Sequence, residues 1–162
     1  MKKLVSCLAV AALLIAGCGK TADQKKLETD LNNQVQKLHD VGMSKMSQLA
    51  DLSGQIDKAL AKQDSLAKAY PKLFAALPVS DLKAAGEAIT AAKTSMDTWM
   101  KGYKKFNPEA LHEQNMTQLN KDVTELTKLN GAIETAVTGA TKALDSHAAT
   151  VTDLLAKVIK KK

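Results

Sequence analysis

The chain has no arginine: all 23 of its basic side chains are lysine. Lysine is a point charge without the planar fork that grips phosphates and base edges in a bidentate way, so nucleic-acid recognition is a poor expectation. Aromatic residues are almost as scarce. Tyr70, Phe74, Trp99, Tyr103 and Phe106 are the whole set, 3% of 162 residues. So few large side chains exclude a thick globular core and favour a slender one filled by Ala, Leu, Val and Met. Only three prolines interrupt the chain, and the composition reads as helical. No cysteine follows Cys18, so the body of the chain can form neither a disulfide nor a Cys-ligated zinc site, and thiol catalysis is excluded.

What is present at the start is more specific. Met1-Lys2-Lys3 is a positively charged opening, and Leu4 to Ala16 is apolar and uncharged. That run is well short of the ~20 residues a membrane-spanning helix needs. A charged start, a short apolar stretch and small residues at its end form the secretory-signal pattern. Leu14-x-x-Gly17-Cys18 resembles the lipobox of bacterial lipoproteins. The resemblance implies cleavage before Cys18, a diacylglycerol thioether on its sulfur and a further acyl chain, such as palmitate, on its amine. An ordinary cleaved signal with a chance cysteine is the other reading. Gly19 in place of an aspartate implies, by the sorting rule of many Gram-negative lipoproteins, the outer membrane facing the periplasm. The expected organisation is a signal at 1–17, a lipidated tether at 18–23 and one helical domain at 24–162.

The net charge of +6 shrinks once Lys2 and Lys3 are removed, and Lys160, Lys161 and Lys162 supply most of the remainder. The body is therefore nearly neutral. Its apolar residues recur at steps of three and four. Leu27, Leu31, Val35 and Leu38 open a first helix, which Met46, Leu49, Leu52, Ile56 and Leu60 continue. The stripe slips near Gly42, which predicts a register change or mild kink. Pro71 ends this helix near Tyr70, and residues 71–79 form a connection with room for one apolar turn. Ser80 is a suitable N-cap for a second helix whose seam is Leu82, Ala85, Ile89, Ala92, Met96, Trp99, Tyr103 and Phe106. Asn107-Pro108-Glu109 predicts the start of a third.

The third helix carries two heptad columns. One is Met116, Val123, Asn130, Val137, Leu144, Val151 and Val158; the other is Leu119, Leu126, Ile133, Ala140, His147 and Leu154. Such a repeat predicts knobs-into-holes packing. The expected fold is all-α: an elongated antiparallel bundle of three long helices, about 24–70, 80–106 and 108–160, or four if the last breaks near Gly131. The heptad runs through Gly131 in phase, which favours continuity. Because the second helix is short, the third is expected either to project beyond the bundle or to fold back. A projecting apolar seam would call for a partner chain. Trp99 and Tyr103 are expected at the bundle centre, with Val123, Leu126, Ile133, Val137 and Leu144 as the core seam.

Nothing in the chain suggests catalysis or a cofactor. His39, His112 and His147 form no metal-ligand spacing, and no triad, P-loop or dinucleotide motif is present. His147 and Asn130 read as polar residues that fix helix register, and the methionines as core filling. Two stretches, His39-Asp40-x-x-Met43-x-Lys45-Met46 and Met96-x-x-Trp99-Met100-x-x-Tyr103, resemble a family of small helical lipoproteins of Bacteroidota often labelled "viral A-type inclusion protein". That family often has a proline where this chain has Ser44. The resemblance implies an envelope lipoprotein without catalytic residues. The expected function is thus a non-enzymatic, lipid-anchored envelope protein, a helical scaffold or protein-binding module that meets another envelope protein or a copy of itself. The alternative is a tether to peptidoglycan through Lys160, Lys161 and Lys162, in an outline similar to the major murein lipoprotein.

Overall fold

The computed structural model describes residues 19–75 and 77–160. The expected signal at 1–17, Cys18, Lys161 and Lys162 lie outside the described residues. The elements are α1 (Ala22–Ala69), α2 (Pro71–Phe74), α3 (Ser80–Gly102) and α4 (His112–Ile159). The two longest helices have 48 residues each and α3 has 23, lengths of roughly 72 and 35 Å at 1.5 Å per residue. Together they form an all-α bundle of three long helices with one short turn of helix at a corner.

The direction of each helix follows from who touches whom. Gly42 on α1 faces Met96 on α3, and Gln36 reaches Tyr103, while Gly86 faces Ile56. The later part of α3 therefore lies beside the earlier part of α1, so these two are antiparallel. On α4, His112 meets Glu28, Asn130 meets Leu38 and Lys45 pairs with Glu134. These partners advance together, so α1 and α4 run parallel over nearly their whole lengths. The expectation of a projecting or folded-back last helix is corrected on both counts. α4 is continuous through Gly131, and α1, an equally long helix, lies alongside it. The shortness of α3 is made up by the connections at its two ends.

The core of α1 centres on one heptad column at strict seven-residue intervals, Glu28, Val35, Gly42, Leu49, Ile56 and Gln63, all buried, with Leu52 buried beside it. The predicted slip at Gly42 does not occur. The column passes through the glycine, which is a point of close approach within one continuous helix. A Cβ there would lie 2.5 Å from Met96 Cε and 2.6 Å from Asn130 Oδ1. Asn130 Nδ2 donates to the Leu38 carbonyl at 2.8 Å, which sets α4 against α1 at that level and agrees with its role as a register device. On α4, Leu119, Leu126, Ile133 and Ala140 are at most 2% exposed and form the central column. A third column that periodicity did not single out, Asn115, Asp122, Ala136 and Ala143, is also buried. The Asp122 end of that column faces α3 across a groove that both helices line.

Helix ends depart from expectation in instructive ways. α1 starts at a capping box, in which Thr21 Oγ1 accepts from the Gln24 N–H and Gln24 Oε1 accepts from the Thr21 N–H, an arrangement worth ~1 kcal/mol. Ser80 is the first residue of α3 and not its cap; its hydroxyl donates to Asp81. α3 stops at Gly102, short of the expected 106. Tyr103 is extended, yet Tyr103 and Phe106 still pack against the core, so an apolar spacing that looks helical continues through non-helical backbone. The last helix starts at His112 and not at 108, because Asn107 caps a turn instead: its Oδ1 accepts from the Glu109 N–H and its carbonyl from the Ala110 N–H.

The glycines separate packing from propensity. Nothing lies within 4 Å of a Cβ added at Gly139, so Gly139→Ala should stabilise the bundle by ~1 kcal/mol. Gly42→Ala should destabilise it by about 1–3 kcal/mol, the usual cost of overpacking. Urea unfolding of the two variants checks the pair; an equal gain from both would contradict the close approach at Gly42.

Candidate functional site

The most unusual chemistry is a buried carboxylate at the end of the bundle where α1 and α4 begin. Glu28 is 1% exposed and occupies a column position where periodicity would place an apolar side chain. Its neighbour Leu27, expected in the seam, is 47% exposed. Three groups converge on Glu28. Lys20 Nζ donates to Oε2 at 2.6 Å, Asn115 Nδ2 donates to Oε2 at 2.8 Å, and His112 Nδ1 lies 2.8 Å from Oε1. The same donors tie in the preceding turn: Lys20 Nζ also donates to the Pro108 carbonyl at 2.7 Å, and Asn115 Nδ2 to the Asn107 carbonyl at 2.8 Å. Four segments (residue 20, α1, the 107–110 turn and the start of α4) are thus fastened around one side chain.

Burial alone would push the Glu28 carboxyl towards its neutral form. The hydrogen bonds from Lys20, His112 and Asn115, with the Lys20 charge, outweigh burial and hold it below the usual glutamate range. With its oxygens engaged by donors, the carboxylate suits a clamp better than a base. The expected polar tether at 18–23 is corrected over its described part: Lys20 is largely covered in an ion pair, its side chain 10% exposed, Thr21 is a helix cap and α1 already begins at Ala22.

About a third of the way along α1 a second feature assembles. His39 and Trp99 have ring centroids 5.8 Å apart, and Trp99 and Tyr103 5.0 Å apart. The Gln36 amide donates to the Tyr103 hydroxyl at 3.1 Å. Met100, 36% exposed, lines the same hollow with Gln36, His39, Trp99 and Tyr103. The two stretches singled out in the sequence therefore meet face to face. Trp99 and Tyr103 lie half-buried at the edge of the bundle, and Met96, 0% exposed, fills the centre expected for them. On the other side of Trp99 an open groove of about 500 Å³ separates α3 from α4, walled by Thr98, Tyr103, Gln118, Asp122 and Leu129. Asp122 is 2% exposed, and Gln118 Nε2 donates to both its oxygens at 3.0 Å. Burial is the largest influence on Asp122 and raises its pKa; Glu125 adds to the rise, while Gln118 and Lys121 oppose it.

The remaining candidates are placed simply. Leu126, Ile133 and Val137 are buried, while Val123 and Leu144 pack partly buried against them. Lys160 caps α4 at the end of the bundle opposite Lys20. His147 is half-buried on α4; burial and the nearby Lys62 both lower its pKa. Among the described residues no group of three or more His, Cys, Asp or Glu could share a metal ion, and no helix is long and apolar enough to cross a membrane. Glu28 and Asp122 were missed in the sequence because a lone acidic residue in a lysine-rich helix looks solvated; only the strict 28–35–42–49 interval hints at Glu28. Comparisons of the chain with family models, with curated proteins and with solved structures give no match.

The two buried carboxylates should respond to pH with opposite signs. Glu28 has a lowered folded-state pKa, so its contribution is complete above the ordinary value of 4.5 and is lost as pH falls through the lower folded value. Glu28→Gln should cost about 3 kcal/mol near neutral pH, the lower end for breaking a buried pair because Lys20 can turn towards water, and should remove that acid dependence. Asp122 is raised, so its penalty is full at neutral pH and fades on acidification; Asp122→Asn should stabilise the neutral protein. Urea titrations across pH 3–7 check both, and a stabilising Glu28→Gln or a destabilising Asp122→Asn would contradict the assignments.

Proposed function

We propose that this chain is a non-enzymatic, lipid-anchored protein of the bacterial cell envelope, held through acyl chains on Cys18 and working as a rigid helical scaffold that binds another envelope protein. The observation that carries the reading is the junction between signal and bundle. The sequence Leu14-x-x-Gly17-Cys18 is followed within two residues by Lys20, which is already locked to Glu28. A body that begins so close to a lipid attachment suits a protein positioned by its anchor. Two or more acyl chains hold such an anchor stably, where one is marginal. Gly19 supports the outer membrane, facing the periplasm, as the location.

The binding surface that fits best is the hollow of Gln36, His39, Trp99, Met100 and Tyr103. Aromatic and methionine side chains at a surface supply large contact area and adapt to a partner. A copy of the same chain is a weaker choice than it was from sequence, because α1 lies along the seam that was expected to be bare. A second reading, a tether to peptidoglycan through Lys160, Lys161 and Lys162, is favoured by one observation: parallel α1 and α4 place Lys160 about 70 Å from the anchor end.

In-cell crosslinking tests the main reading. A photoreactive residue at Met100 should give a discrete adduct in the membrane fraction, and one at exposed Thr117 should not. Cys18→Ser should lose both membrane retention and the adduct. Retention without lipid, or equal crosslinking at both positions, would overturn the proposal. For the tether, muramidase digests of sacculi should release peptides from the Lys160 region that carry muropeptides; their absence removes it.

A further inference from the structure

We infer that the tip of the bundle built by Gly19 to Thr21 and the Pro108–Leu111 turn rests on the bilayer itself, with Leu111 entering the lipid interface, so that the bundle stands on the membrane and is not suspended from a flexible leash. This rests on the lipid anchor at Cys18 proposed above and adds what that anchor does to the orientation of the protein.

A single residue, Gly19, separates Cys18 from Lys20, and two residues of chain span at most about 7 Å. Lys20 is not free to extend that reach, because its side chain is 10% exposed and bonded to Glu28 and to the Pro108 carbonyl. Acyl chains leaving Cys18 therefore enter the membrane no further from the Pro108 turn than two residues of chain and one lysine side chain allow. The same turn ends at Leu111, the residue that precedes α4, and Leu111 is 69% exposed. Of the large apolar side chains described, only Ile159, at the far end of α4, is more exposed, at 74%. An isolated exposed leucine needs no explanation by itself; one held beside a lipid attachment point has its partner supplied.

The contact is apolar in kind. The charges at this end are of both signs, Asp23, Glu109 and Glu113 standing with Lys25, Lys26, Lys104 and Lys105, so acidic headgroups meet no patch of a single sign. Interfacial apolar groups of this sort settle about 5–10 Å into the boundary between headgroups and acyl chains. Both α1 and α4 then rise from the membrane side by side, and their far ends are presented about 70 Å away.

The test uses the acylated full chain in vesicles of phosphatidylethanolamine and phosphatidylglycerol. An environment-sensitive fluorophore is placed on Leu111→Cys or on Ile159→Cys, the sulfur of Cys18 being blocked by its lipid. Mass spectrometry of the N-terminal peptide comes first; an unmodified Cys18 overturns the anchor and this inference with it. On acylated protein, brominated lipid should quench the label at 111 and leave that at 159 unchanged, while aqueous iodide should do the reverse. The pattern should persist when phosphatidylglycerol is replaced by phosphatidylcholine. Equal iodide access at 111 and 159 on acylated protein, or lipid quenching that requires the anionic lipid, overturns the inference while leaving the anchor intact.

Discussion

A single buried carboxylate governs the geometry of this molecule. Glu28 sits at the first position of the α1 core column, and it gathers a lysine eight residues back and a histidine and an asparagine more than eighty residues ahead. Removing a charge from water costs several kcal/mol, and the cost is offset only where its partners are complete. Here they are, and the result is a definite meeting point for the start of α1, the start of α4 and the turn between α3 and α4. The parallel course of α1 and α4 begins from that point.

Further along, the same column is kept in register by size and not by charge. Gly42 lets Asn130 and Met96 approach the α1 backbone, and the Asn130 amide bonds the Leu38 carbonyl. At the far end, Gln63 donates to the Phe74 carbonyl and fastens α2 across the end of α1. The column thus reads as a polar clamp at each end with a glycine notch and apolar contacts between. This division suits a long, thin body. Apolar burial supplies the non-directional part of its stability, and the directional contacts decide which helix lies where.

Much of this was legible in the sequence. The all-α class, the three long helices, the α3 seam from Leu82 to Met96 and the continuity of α4 through Gly131 all followed from periodicity. The path of the chain did not. Helix directions were constrained by loop lengths, but the loops at 70–79 and 103–111 are long enough to let α4 lie against α1 instead of beyond α3. The clamp was hidden for a physical reason: whether an acidic residue is tolerable in a core depends on partners that sequence spacing does not bring together. Leu27 looked like the seam residue because it is apolar; Glu28 is the seam residue because Lys20, His112 and Asn115 are there to meet it. The capping box of Thr21 and Gln24 has a sequence signature and could have been found.

The proposed role would use these constraints, since a scaffold that begins as a rigid object two residues from the anchor proposed at Cys18 would hold its orientation as well as its place. The most direct test is the mobility of the backbone at Gly19, Lys20 and Thr21 in the acylated protein, read from amide relaxation in lipid nanodiscs. Order parameters near the rigid-backbone level of about 0.85 are expected at these three residues, falling below about 0.6 when Glu28 is replaced by Gln. Low order in the unsubstituted protein would show a leash where this account places a clamp, and would contradict it.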